Sequence, residues 1–111
     1  MGTLLYGSPG IEVTFDDRAL MHLQVAITAK LRRGESFIFT WTDSPQLGSG
    51  RSTIWLSPSS DLVYRFAGNR MASINRVWLA TLMQSANSPA GLFFTPEPDG
   101  SATEAQRKAQ P

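Results

Sequence analysis

At 111 residues and a formal net charge of +1, the chain has room for one domain and no global field to steer it toward nucleic acid or anionic lipid. Its 41% hydrophobic and 17% charged composition excludes a wholly disordered chain. It has no cysteine, which excludes disulfides, zinc–thiolate sites, iron–sulfur clusters and cysteine nucleophiles.

The first turn signal is Gly7-Ser8-Pro9-Gly10, between a short strand at Thr3–Tyr6 and an alternating one at Ile11–Phe15. Together they read as an opening hairpin. Asp16-Asp17 follows, and either carboxylate can cap the next helix and meet the positive end of its dipole. That helix runs to about Arg33. Leu20, Leu23, Ile27 and Leu31 form one apolar stripe, Lys30, Arg32 and Arg33 sit at the carbonyl end, and Gly34 stops it. Gln24 falls within the stripe and needs partners if buried.

A β-rich run, Ser36–Thr42, places Phe37, Phe39 and Trp41 on one face and Ile38 on the other. The loop from Asp43 to Gly50 leads to a strand at Thr53–Ser57, and the turn Ser57–Asp61 to a strand at Leu62–Phe66. By turn logic these three strands form an antiparallel meander. Ser73 can cap a second helix, Ile74–Ala86, with Ile74, Val77, Trp78, Leu82 and Met83 inward. Leu92–Thr95 reads as a last short strand. After Phe94 no large apolar residue remains. Residues 1–95 therefore read as a single domain and 96–111 as a disordered polar tail.

The order β-β-α-β-β-β-α-β predicts an α+β fold: a mostly antiparallel six-stranded sheet with two helices packed on one face. The absence of a signal peptide and of any apolar run of membrane length leads to the expectation of a cytoplasmic protein without membrane contact.

No catalytic, cofactor-binding or metal-binding set emerges. Gly48-Ser49-Gly50-Arg51-Ser52-Thr53 resembles a phosphate loop only superficially: Pro45 stands at the first glycine position, Arg51 replaces the lysine, and a strand rather than a helix follows. His22, the one histidine, lies opposite the apolar stripe on a helical wheel and reads as a surface residue. It has no His or Cys partner for a metal and no nucleophile motif for a triad. Gly68-Asn69-Arg70 and Ser73-Ile74-Asn75-Arg76 read as a turn and a cap, although a helix N-terminus with Arg70 and Arg76 nearby is also suited to an anion.

The aromatic residues carry the remaining signal. One set of apolar strand residues packs under the helices. The other set, either the aromatic row or Ile38, Ile54, Leu56 and Val63, is left over. An uncovered apolar sheet face exceeds what a lone monomer normally exposes. The expected interaction face comprises Phe37, Phe39, Trp41, Trp55, Tyr64 and Phe66 with Arg51 and Arg65. Protein contact is the first expectation: a non-enzymatic interaction or assembly module, self-associating through the sheet face or an edge strand. The alternative is a small nucleic-acid-associated protein that stacks bases on the sheet aromatics, against which the near-neutral charge argues.

The opening Met1–Gly7, the segment Asp17–Val25 running into Thr28–Phe37, Ile74-Asn75-Arg76, Leu82-Met83 and Ser85–Ser88 resemble a family of short uncharacterised proteins of actinobacteria or their phages. The resemblance spans about residues 1–98. Members are sometimes labelled ATP-dependent DNA ligase, but a ligase needs a nucleophilic lysine in Lys-x-Asp-Gly. The lysines here are Lys30, in a helix, and Lys108, in the tail, and neither precedes Asp-Gly. The resemblance implies a source and no mechanism.

Overall fold

The structure, a computed structural model, describes residues 1–8, 10–42 and 50–98. The loop at 43–49 and the expected tail beyond 98 lie outside the described residues.

The hairpin forms as read. β1 (Gly2–Tyr6) and β2 (Ile11–Phe15) pair antiparallel, from Gly2 opposite Phe15 to Tyr6 opposite Ile11. α1 (Asp17–Arg32) follows, with Asp16 as its N-cap: the carboxylate accepts the Ala19 N–H at 2.6 Å. Leu20, Leu23 and Ile27 are fully buried and Leu31 packs at the edge of the core. Gly34 ends the helix at φ +76°, a left-handed conformation that glycine adopts without steric cost, and its N–H donates to the Leu31 carbonyl.

β3 (Phe37–Thr42) and β4 (Arg51–Leu56) pair antiparallel. β5 (Leu62–Arg65) does not continue that meander. It pairs antiparallel with the free side of β1, with Leu4 facing Tyr64. After α2 (Arg76–Ala86), β6 (Leu92–Phe93) adds parallel to the other side of β3. The expected single six-stranded sheet is therefore two sheets of three strands, β2-β1-β5 and β4-β3-β6.

The split falls at the β4–β5 turn. The Ser60 N–H donates to the Ser57 carbonyl and the Ser57 N–H to the Ser60 hydroxyl, both at 2.9 Å. The first is the closing bond of a tight turn, and the second adds a side-chain bond across it. β5 then finds the open side of β1, where Leu4 lies buried between Val13 and Tyr64. The hydroxyl of Tyr6, on β1, donates to the Trp55 carbonyl, on β4, and ties the two sheets together.

The two helices do not share one face of one sheet. α1 lies against β1 and β2, α2 against β6, and the helices pack on each other. One core results, joining Leu4 and Phe15, Leu20 and Ile27, Phe39 and Leu56, and Trp78 and Leu82. α2 starts later than expected: Asn75, not Ser73, caps it by accepting the N–H groups of Val77 and Trp78. Trp78, Leu82 and Ala86 face inward, while Ile74 and Val77 are exposed. Gly91 brings β6 in beside β3. It has φ +86°, and a Cβ there would fall on the Ile38 side chain and carbonyl.

Candidate interaction surface

Register decides which side chains face out. Phe37 opposes Leu56, while Phe39 opposes Ile54 on one side and Leu92 on the other. Residues directly opposite in a ladder share a face. The aromatic row and the Ile54–Leu56 set, alternatives in the sequence, therefore point the same way, into the core. The outer face of this sheet carries Arg51, Thr53 and Trp55 of β4, Ile38 and Thr40 of β3, and Phe93 of β6.

The expected interaction face consequently divides. Phe37, Phe39 and Trp41 are buried. Tyr64 and Phe66 are half-buried against the core from the first sheet. Burial pushes the Tyr64 hydroxyl up to about 12, a hydrogen bond with Thr28 opposing the shift. Arg65 lies exposed on the outer face of the first sheet, beside Val63. Only Trp55 and Arg51 share an exposed face, at the two ends of β4.

Trp55 is 55% exposed. It stands directly opposite the half-buried Ile38. Phe93, also exposed, stands opposite Thr40, one step diagonally from Ile38. Between them the Thr40 and Thr53 hydroxyls bond to each other at 2.8 Å, which leaves that part of the surface polar but self-satisfied. A cleft of about 400 Å³ opens beside Trp55, with Ile38 and Gly91 along it and Pro89 on the far side. Lys30 closes its polar end. Its buried ammonium donates to Glu35 at 2.6 Å and to Asn87 at 2.9 Å, joining the C-terminal ends of both helices. The bond to Lys30 holds the Glu35 carboxyl below its ordinary range.

A second polar cluster sits at the opposite ends of the helices. Arg18 grips Glu97 through two bonds of 2.8 Å and donates to the Ser73 carbonyl at 2.7 Å. The Asn75 amide donates to the same Glu97 at 2.9 Å. Arg18 first, then Asn75, pulls the Glu97 carboxyl down to about 2, and Glu97 in turn raises the Arg18 guanidinium. Trp78 donates its indole N–H to the Thr95 carbonyl at 2.8 Å. The charged pair thus ties the segment after Thr95 to α1.

His22 reverses its expected place. It is fully buried and stacks on Trp78 with ring centroids 4.5 Å apart. Its Nε2 accepts the Asn75 N–H at 2.8 Å and its Nδ1 meets the Arg18 carbonyl at 2.8 Å. The available signal was the uncharged run Ala19–Ala29, which continues on both sides of His22. Gln24 is half-buried and makes no hydrogen bond to the described residues. Asp17, the carboxylate that does not cap, accepts the N–H groups of Ala67 and Gly68, which lower its carboxyl.

These clusters bring ionisable groups together as mutually paired tethers. Among the described residues, no three His, Cys, Asp or Glu side chains converge as metal ligands, and no helix is long and apolar enough to cross a membrane. Residues 1–97 match the model of a domain of unknown function, DUF7882. The chain belongs to the DUF7882 family. The match covers both sheets, both helices and the residue at which Arg18 anchors the C-terminal segment. No curated protein and no solved structure matched the chain.

Proposed function

We propose that this DUF7882 domain is a non-enzymatic interaction module that self-associates through the outer face of the β4-β3-β6 sheet, as part of a larger cellular or phage assembly of actinobacterial source. One observation carries the reading: a tryptophan more than half exposed on a paired strand, with Ile38 opposite it, Phe93 farther across the same face and a cleft at its flank. Tryptophan is among the residues that dominate binding energy when a partner desolvates it, at about 2 kcal/mol or more per anchor. The Trp55 main chain is held by the β3–β4 ladder and the Tyr6 hydroxyl, so the backbone loses little entropy on docking. The pairing of Arg18 with Glu97 and of Lys30 with Glu35 supports a non-catalytic reading, since those side chains are engaged in holding the fold.

Light scattering and sedimentation equilibrium at micromolar concentration test it. The wild-type chain is expected above monomer mass, and Trp55→Glu to be monomeric with an unchanged circular dichroism spectrum. A wild-type chain that stays monomeric overturns self-association.

A second reading rests on the shared face of Arg51, Trp55 and Phe93: stacking of single-stranded nucleic acid. It predicts a salt-dependent mobility shift of an oligonucleotide that Arg51→Ala weakens. No shift at low salt removes it.

A further inference from the structure

The segment between β5 and α2 crosses the first half of α1 as an arch clamped at both ends. At its near end, the Asp17 carboxylate accepts from the backbone N–H groups of Ala67 at 3.1 Å and Gly68 at 2.9 Å. At its far end, Arg18 donates to the Ser73 carbonyl and His22 accepts the Asn75 N–H. All three clamps come from residues 17–22 of the helix. Residues 69–72 between them stand off the helix, over a cavity of about 220 Å³.

The cavity has a mainly apolar lining with a few polar residues. Met21 is buried beneath it and Phe66 forms a half-buried wall. Met71, 85% exposed, projects from the arch. Methionine is flexible and polarisable, and suits surfaces that adapt to what they contact. Gln24, Asn69 and Arg70 also line it, and none of their side chains is hydrogen-bonded to the described residues. Asp17 lines the same cavity and still has lone pairs beyond the two it uses. Apolar walls with a few convergent polar groups are the composition of a small-molecule site. A cavity of roughly 150 Å³ holds benzene, so this one accommodates a compact apolar side chain.

We propose that this cavity binds a small zwitterion with an apolar body, a free hydrophobic α-amino acid. Its ammonium lies toward Asp17, its carboxylate on Arg70, and its side chain among Met21, Phe66 and Met71. The lining carries one residue of each charge, Asp17 and Arg70, among apolar side chains, and this ligand class satisfies both. A simple carboxylate would offer no cation to the spare lone pairs of Asp17, and a simple amine would offer no anion to Arg70.

The test is a titration of L-phenylalanine and L-leucine into the full chain labelled at its methionine methyl groups, followed by NMR. The Met21 and Met71 signals are expected to shift along one saturable isotherm, while Met83, on α2, stays still. Arg70→Gln, at an exposed and unpartnered position, is expected to weaken binding by on the order of tenfold. Phenylpropionate and phenethylamine, which each lack one charge of phenylalanine, are expected to bind more weakly than the amino acid. Absence of a saturable shift at Met21 and Met71 overturns the site. Equal affinity for phenylpropionate, or an unchanged affinity in Arg70→Gln, overturns the zwitterion assignment. None of these readouts depends on the Trp55 face.

Discussion

Three neighbours define what His22 does: the Arg18 carbonyl, the Asn75 N–H and the Trp78 ring. A backbone N–H can only donate, so Nε2 must accept from Asn75, and Nδ1 then carries the proton shared with the Arg18 carbonyl. The ring therefore tethers α1 to the cap of α2 while packing on the largest buried side chain. His22→Phe keeps the packing and removes the acceptor, leaving the Asn75 N–H without its partner. The expected loss is about 1–3 kcal/mol in denaturant unfolding, the cost of an unsatisfied buried donor. A loss of only a few tenths would show that the tether is dispensable. A helical wheel could not place His22, because a wheel finds one apolar stripe and α1 is covered by a sheet on one side and by α2 on another.

Among the elements, α2 is the one whose start the sequence misplaces. Ser73 and Asn75 are both good caps, and Asn75 is selected by bonds that come from far along the chain. Its side-chain oxygen accepts from Val77 and Trp78 while its amide donates to Glu97. Asn75→Asp keeps the cap but sets a carboxylate against Glu97. It is expected to destabilise the fold near neutral pH by on the order of 2 kcal/mol, and to do so much less in a Glu97→Gln background. Equal deficits in the two backgrounds would break the proposed coupling. The pH sign follows from Glu97, whose folded value of about 2 lies below its ordinary 4.5. Its contribution to stability is complete above pH 4.5 and is lost as pH falls toward 2. Asp17 and Glu35 are also lowered and act in the same direction. Unfolding midpoints measured between these limits should therefore fall less steeply in Glu97→Gln than in the wild type, without becoming flat.

For the whole molecule, the decisive event is the division of the strands into two sheets. Where a continuous sheet would have a ladder, β1 and β4 are joined by the Tyr6 hydroxyl on the Trp55 carbonyl. Tyr6→Phe is expected to cost about 1 kcal/mol and to raise hydrogen exchange in β4. A variant with unchanged exchange would show that the shared core alone holds the sheets together. The division also explains the fate of the expected aromatic face. Two sheets around one core need more inward side chains than one sheet under two helices. Phe37, Phe39 and Trp41 supply them, and Tyr64 and Phe66 fill the margin. Trp55 alone of the expected aromatics remains available to a partner.

Local chemistry made several features legible without any structure. The opening hairpin, the cap, stripe and glycine stop of α1, and the alternating faces of β3 all depend on residues within a few positions of one another. Periodicity, capping and turn chemistry act over that range. What the sequence could not settle depends on contacts between distant residues. The pairing of β5 with β1, the parallel placement of β6, the burial of His22, the grip of Arg18 on Glu97 and the hollow under the 66–72 arch each join positions about fifty or more residues apart. Such contacts form because they complete a core or satisfy a buried polar group, and those demands exist only once the elements are packed.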